Sequence, residues 1–335
     1  MLKRLCFKKF ALVFCLCFFS LTKALVSAID CTTNNLQILE SLDEKTLRSV
    51  LLEEIPFFEV SSIKIISCGW DNWVADVNNE WIFRFPRKKS VAENLFRENL
   101  LLDKLHPLAK VCIPRYEIKG NKFCFVAYRK IHGIELSKEC YEKLNEDERR
   151  SLAELIANFL FSLHHLFTVD EAEALGFSKN LWPINWLKYD LAENLPSPDW
   201  EKMFMQALKE GEEILHNNPS YVLGHHDLHG GNMAFNPTKK NLEGIFDFSD
   251  ASIGIIYRDF SELISIHYKL AEDVSRIYFS HSRHFEKIDD VLRKVGIDYQ
   301  LRKFTCLLCA IENCEQTRYH RILKELNEFS KSWKY

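Results

Sequence analysis

Three side chains between His225 and Asp250 could meet one metal-bound phosphate. The stretch reads His-His-Asp-Leu-His-Gly-Gly-Asn-Met-Ala-Phe-Asn-Pro-Thr-Lys-Lys-Asn-Leu-Glu-Gly-Ile-Phe-Asp-Phe-Ser-Asp. Asp227 could accept the proton of a substrate hydroxyl, as a general base does. Asn232 and Asp247 could give oxygen ligands to magnesium, a hard cation that takes few protein ligands and relies on substrate phosphates for the rest. The chemistry implied is phosphoryl transfer. Asp227 and Asn232 alone would say little. Asp247, placed at the end of a returning strand, makes the pattern specific. Two other readings stand beside it. The segment could be a solvated hairpin with ordinary turn residues. Alternatively, His225, Asp227 and His229 alternate as transition-metal ligands could, although no second ligand cluster accompanies them.

The elements that must position these groups are short. Tyr221 to Leu223 reads as a strand leading into the loop that carries Asp227. Met233 to Phe235 is a second strand. Asn236-Pro237 begins a polar turn with Lys239, Lys240 and Asn241. Leu242 to Phe246 then runs back, and a hairpin of that length returns Asp247 to Asn232.

His225-x-Asp227, Asn232 and Asp247-Phe248-Ser249-Asp250 together resemble the aminoglycoside phosphotransferase family, a relative of choline kinases. The resemblance implies an α+β, bilobal protein-kinase-like fold, with a small β-rich N-lobe and a mainly helical C-lobe. Ser249 stands where many members have Gly. Ile253-Gly254 and Arg258-Asp259-Phe260 resemble the segment that follows the metal-binding Asp. By that resemblance Asp259 braces the catalytic loop.

Upstream, Ser62 to Ile66 is β-rich, Cys68 to Asn72 reads as a turn, and Trp73 to Val77 as a strand. Asn78-Asn79 is a hairpin turn before the strand Trp81 to Pro86. Gly69 would let backbone approach phosphates closely. From Gly69 to Arg87 the resemblance is closest to the branch that modifies the 2″ hydroxyl of aminoglycosides. Arg84 then takes the position where a Lys usually binds nucleotide phosphates. Arg is a planar fork and not a point charge. The next helix starts with a capping-box pattern, Ser90 and Glu93, and aligns Val91, Leu95, Leu102 and Leu105 on one face. Glu98 lies within that face. A carboxylate there calls for a cation, and Arg84 is the candidate. The other reading puts Glu98 at the edge of a wide stripe, reaching water. Lys122 to Tyr128 reads as a strand, and Arg129 to Gly133 as the crossing between lobes. The resemblance implies that Arg129 and Ile131 present backbone groups to the base of ATP or GTP.

From residue 141 the chain reads as mainly helical. Asn145 and Glu148 repeat the capping-box pattern, followed by an apolar stripe from Leu152 to Leu163. His164 and His165 close that helix in a structural role. Leu181 to Asp190 is aromatic-rich, and could line a pocket or pack as a loop and helix start. Residues 259–279 read as one helix, and 301–333 as another helical stretch. Cys306 and Cys309 sit one helical turn apart among apolar residues. That context favours small buried side chains, and a zinc reading of the two with Cys314 lacks a fourth ligand at zinc spacing.

The 335 residues suit one two-lobed enzyme, and 47% hydrophobic content is globular. The start differs. Lys3, Arg4, Lys8 and Lys9 precede an apolar run from Phe10 to Leu21, and Val26-Ser27-Ala28 offers a cleavage-like site. This reads as a secretory signal peptide cut after Ala28, too short for a stable membrane span. An uncleaved anchor is the other reading. Removal would lower the formal net charge of −3 by five, which disfavours nucleic acid as a partner. Eight cysteines would remain, an even count that fits an oxidising compartment weakly.

The expected organisation is residues 1–28 as signal, 29–57 as a helical extension, 58–131 as nucleotide-binding N-lobe and 132–335 as catalytic C-lobe. The expected function is a magnesium-dependent small-molecule kinase, moving the γ-phosphoryl group of ATP or GTP to a hydroxyl-bearing acceptor such as an aminoglycoside or amino-alcohol. The alternatives are a non-catalytic binding module on the same fold, or an exported kinase acting on a protein or lipid headgroup. A working signal places the protein in the periplasm or outside the cell; otherwise it is cytoplasmic.

Overall fold

Largely buried strands, rich in aromatic and β-branched residues, build the sheet of the first unit, which comprises residues up to Lys104 with Pro114–Lys130 and Glu173–Phe177. The structure, a computed structural model, describes residues 36–66, 71–180, 195–217, 219–281 and 286–335. Strands β1 (Ile63–Ile66), β2 (Asn72–Val77), β3 (Trp81–Pro86), β4 (Ile118–Lys119) and β5 (Val126–Arg129) pair antiparallel in the order β1-β2-β3-β5-β4. Asn78 and Asn79 turn β2 into β3 with φ of 60° and 56°, the left-handed pair that suits the twist of a two-residue hairpin. Helix α1 (Glu44–Glu54) starts where Asp43 Oδ1 accepts the Thr46 N–H at 2.7 Å. It buries Leu47, Val50 and Leu51 in a core with Phe83, Phe85 and Phe125.

Two expectations for this unit shift. Helix α2 (Lys89–Leu105) begins before Ser90, which therefore lies inside the first turn and is not its cap. The strand expected over Lys122 to Tyr128 is shorter. The Glu54 carboxylate accepts the N–H groups of Asn121, Lys122 and Phe123, and ties them into a turn instead of a ladder.

The second unit holds Leu105–Ile113, Ile131–Ala172 and Ser178–Tyr335. Its helices are α3 (Lys138–Glu142), α4 (Glu146–His164), α5 (Val169–Ala174), α6 (Pro198–His216), α7 (Arg258–Leu263), α8 (Tyr268–His281), α9 (Ile288–Glu312) and α10 (Gln316–Ser332). The capping box forms as read: Asn145 Oδ1 accepts the Glu148 N–H, and Glu148 Oε2 accepts the Asn145 N–H. Small strands complete the unit. β6 (Ile134–Glu135), β8 (Met233–Asn236) and β9 (Asn241–Ile245) form one sheet; β7 (Tyr221–Gly224) pairs with β10 (Ser252–Ile255).

The helix read over 259–279 is two helices. The chain breaks between Leu263 and Tyr268, where His267 Nδ1 accepts the Lys269 N–H and so starts α8. The stretch read over 301–333 is likewise divided, at Cys314, whose φ is 56°. Among the described residues no cluster of three His, Cys, Asp or Glu side chains could hold a metal. Among them, too, no helix is long and apolar enough to cross a membrane. The signal reading, Cys31, Cys68 and Leu181 to Asp190 lie outside the described residues.

Candidate active site

Strand β7 ends at Gly224, and the next three residues form the core of the loop. Asn232 folds back on it through a single turn of 3-10 helix, Gly230–Asn232. The Asn232 side-chain amide donates to both the Asp227 carbonyl and Asp227 Oδ2, each at 2.8 Å. With its Nδ2 so engaged, Asn232 keeps Oδ1 as its hard oxygen. The hairpin behaves as read: Phe246 donates its N–H to the Asn232 carbonyl at 3.0 Å, which places Asp247 beside Asn232. Asp247 has φ of 62°, and its Oδ1 accepts the Ser249 hydroxyl at 2.8 Å. Ser249, where many relatives were expected to have Gly, therefore helps orient the candidate ligand.

Asp227 is partly exposed, with 29% of its side-chain surface open. Burial alone would raise its pKa. The hydrogen bond from His229 and the charges of His229, His225 and Arg302 outweigh this, and hold the carboxyl below its ordinary value. His229 Nε2 lies 3.5 Å from Asp227 Oδ2. His229 Nδ1 accepts the Gly231 N–H at 3.0 Å, so in the neutral ring the proton sits on Nε2 and faces Asp227. The same carboxylate raises the pKa of His229, against its burial. Asp227 Oδ2 thus has two donors, which leaves Oδ1 for a hydroxyl proton. The three-ligand transition-metal reading fails on this geometry. His225 Nε2 meets the Phe246 carbonyl at 3.2 Å, and its Nδ1 accepts the Asp227 N–H at 3.3 Å.

Behind the loop stands Asp259, 1% exposed. Its Oδ2 accepts the His225 N–H at 2.9 Å and faces His164 Nε2 at 2.9 Å; its Oδ1 accepts the His226 N–H at 2.5 Å. Burial opposes its charge, but the His164 hydrogen bond and the neighbouring His226, His164 and His225 rings hold its pKa far below the usual carboxylate range. Asp259 therefore braces the loop, as the resemblance implied. His226 has φ of 62°, a conformation that costs roughly 1–2 kcal/mol in a residue with a Cβ. Its ring is wedged between Gly224 and Gly254, and a Cβ on either would come within 2.5 Å of it. Its Nδ1 meets Ser252 Oγ at 2.9 Å.

Burial pushes the His226 pKa down to about 3. An exposed His titrates near ~6.5, so between these values the unfolded chain holds the extra proton. Stability contributed by the neutral ring is complete above pH ~6.5 and is lost as pH falls toward 3. Urea unfolding should weaken across that window. His226→Asn, which tolerates the left-handed backbone, should flatten the slope by up to ~1.4 kcal/mol per pH unit. An unchanged slope in the variant would reject His226 as the source.

The first unit carries its own charged group. Arg84 and Glu98 are 4% and 2% exposed and pair at 2.6 Å. Arg84 Nη1 also donates to the Tyr116 hydroxyl at 2.9 Å. Burial drives the Tyr116 pKa well above its ordinary value, so it stays neutral. Glu98 is thus paired in the core and does not reach water. Arg129 ends β5, with its guanidinium 4.0 Å above the Trp81 ring. Ile131 begins the second segment of the second unit, Ile131–Ala172. Gly69 lies outside the described residues.

Three groups escaped the sequence reading. Tyr116 gave no signal beyond being an aromatic. His229 was seen only as a metal ligand. Arg302, which donates to the His226 carbonyl at 3.2 Å, comes from the middle of α9.

Comparison with known proteins matches residues 62–285 to the model of the phosphotransferase enzyme family. Among solved structures, the chain is similar to the GDP complex of wild-type aminoglycoside 2'-phosphotransferase-IIIa, with 22% identity, a TM-score of 0.73, and coverage of 86% of this chain and 98% of that one. It is also similar to an ADP-bound aminoglycoside phosphotransferase of type 2''-Ib, at 20% identity and a TM-score of 0.60, covering 85% and 98%. A macrolide 2'-phosphotransferase from Brachybacterium faecium gives 17% identity and a TM-score of 0.57, covering 84% and 97%. These likenesses support the α+β, kinase-like fold.

Proposed function

The chain belongs to the phosphotransferase enzyme family, and from that premise we propose that it transfers the γ-phosphoryl group of ATP or GTP to a hydroxyl of a small molecule. The observation that carries this reading is the clamp of Asn232 on Asp227, with Asp247 brought alongside by the hairpin. It separates a base from two oxygen ligands within one short loop. Asp227 Oδ1 takes the acceptor proton. Asn232 Oδ1 and the Asp247 carboxylate are a donor set of hard oxygens, which fits magnesium. When bound, that ion neutralises charge on the transferring phosphate. Arg84, held by Glu98 and Tyr116, contacts nucleotide phosphates. Backbone groups of Arg129 and Ile131 receive the base.

The solved relatives are named for aminoglycosides and macrolides, so an acceptor screen starts with those two classes and continues to amino-alcohols. Residues 1–28 add export to the proposal, and with it a destination that supplies nucleotide. The deciding experiment is calorimetric titration of ATP and GTP, with and without magnesium, into the wild type and Asp247→Ala. Magnesium-dependent binding that the variant loses is expected. A folded sample that binds neither nucleotide would instead make this a binding module without turnover.

A further inference from the structure

We propose that Arg302 is a positioning residue for phosphoryl transfer, acting on Asp227 through the peptide bond that precedes it. The proposal rests on the phosphotransfer reading above. The 226–227 peptide is a rigid plane, so its tilt sets where the Asp227 side chain leaves the backbone. That plane is gripped at both ends. On one side the Asp227 N–H donates to His225 Nδ1 at 3.3 Å. On the other the His226 carbonyl accepts Arg302 Nη1 at 3.2 Å. The carbonyl needs such a partner, because His226 is 1% exposed and a buried carbonyl is normally paired.

Arg302 is itself held. Its Nη2 pairs with Glu262 Oε1, from the helix that also supplies Asp259. The pair is largely buried, with side-chain exposures of 24% and 12%. A forked guanidinium can reach a carbonyl and a carboxylate at once with two different nitrogens; an ammonium offers one point. Arg302 also lies near enough to Asp227 for its charge to favour the ionised carboxylate. Through Arg302, helix α9 thus reaches the residue next to the candidate base.

The simpler account is that the Arg302–Glu262 pair only fastens α9 to α7. Two variants separate the accounts. Arg302→Met keeps the stem and loses the fork; Arg302→Lys keeps the charge and loses one of the two contacts. Amide hydrogen exchange of the full chain is read over residues 225 to 232 and over α9. Steady-state kinetics use whichever acceptor and nucleotide the wild type turns over. Both variants should exchange faster over 225 to 232, with α9 unchanged. In both, kcat should fall on the order of 10²-fold while the KM for nucleotide stays within about threefold, as expected when a catalytic group is displaced by about an ångström. Unchanged protection of the loop would overturn the proposal. So would a loss confined to KM, or Arg302→Lys matching the wild type in kcat. If the wild type turns over nothing, the phosphotransfer reading fails on its own, and the exchange data still decide whether Arg302 holds the loop.

Discussion

Replacing Asp227 with Asn should lower kcat on the order of 10³-fold, and leave nucleotide affinity within about threefold of the wild type. The change is nearly isosteric. Most of what shapes the loop is backbone: the Asp227 carbonyl still accepts from Asn232, and the His225 and His226 N–H groups still reach Asp259. What disappears is the carboxylate Oδ1 that could take a hydroxyl proton. The measurement pairs steady-state kinetics with calorimetric nucleotide binding. Turnover near the wild-type level would remove Asp227 from the mechanism. A matched loss of binding and turnover would mean that the residue supports the nucleotide instead.

The largest stability effect belongs to Asp259. Asp259→Asn should destabilise the protein by about 3–5 kcal/mol, seen as a lower urea midpoint, and turnover should go with it. The carboxylate gives both oxygens to donors, two backbone N–H groups and His164. An amide can offer an acceptor to only one side; its N–H₂ end would face another N–H with nowhere to turn, because the site is closed to solvent. The low pKa of Asp259 carries a second signature. Its stabilising effect is present above the unfolded value near ~4 and is lost as pH falls below it. That acid limb should be missing from the variant. A variant as stable as the wild type at neutral pH would mean the loop finds its shape without Asp259.

The parts of the site legible in the sequence were those set by neighbours along the chain. The hairpin from Met233 to Ile245 returns Asp247 to Asn232 because two short apolar runs flank a polar turn of the right length. Glu98 could be paired with Arg84 because a carboxylate in an apolar helical stripe needs a cation, and Arg84 lay on an adjacent buried strand. Fold class came from the family resemblance that the His225 to Asp250 motif carries, and the order of segments, β-rich first and helical later, agreed with it. Other features rest on contacts that periodicity does not record. The apolar spacing of Phe260, Leu263, Ile264, Ile266 and Leu270 runs straight through the break before α8. It is the His267 side chain, capping Lys269, that starts a new helix there. Glu54 shortens a strand expected from residue 122, although it lies far upstream. Arg302 sits in a helix of mixed charge, and nothing local marks it as the arginine that meets the loop before Asp227.

The clasp on Asp259 also divides the loop's inheritance unevenly. Both chain contacts to it come from main-chain N–H groups, which nineteen of the twenty amino acids possess; proline alone lacks the donor. These two bonds ask nothing of the side chains at 225 and 226, although residue 226 must also hold its φ of 62°. The carboxylate has no such freedom, for no other side chain combines that length with two acceptor oxygens. The path of the loop is written at position 259, outside the motif it shapes.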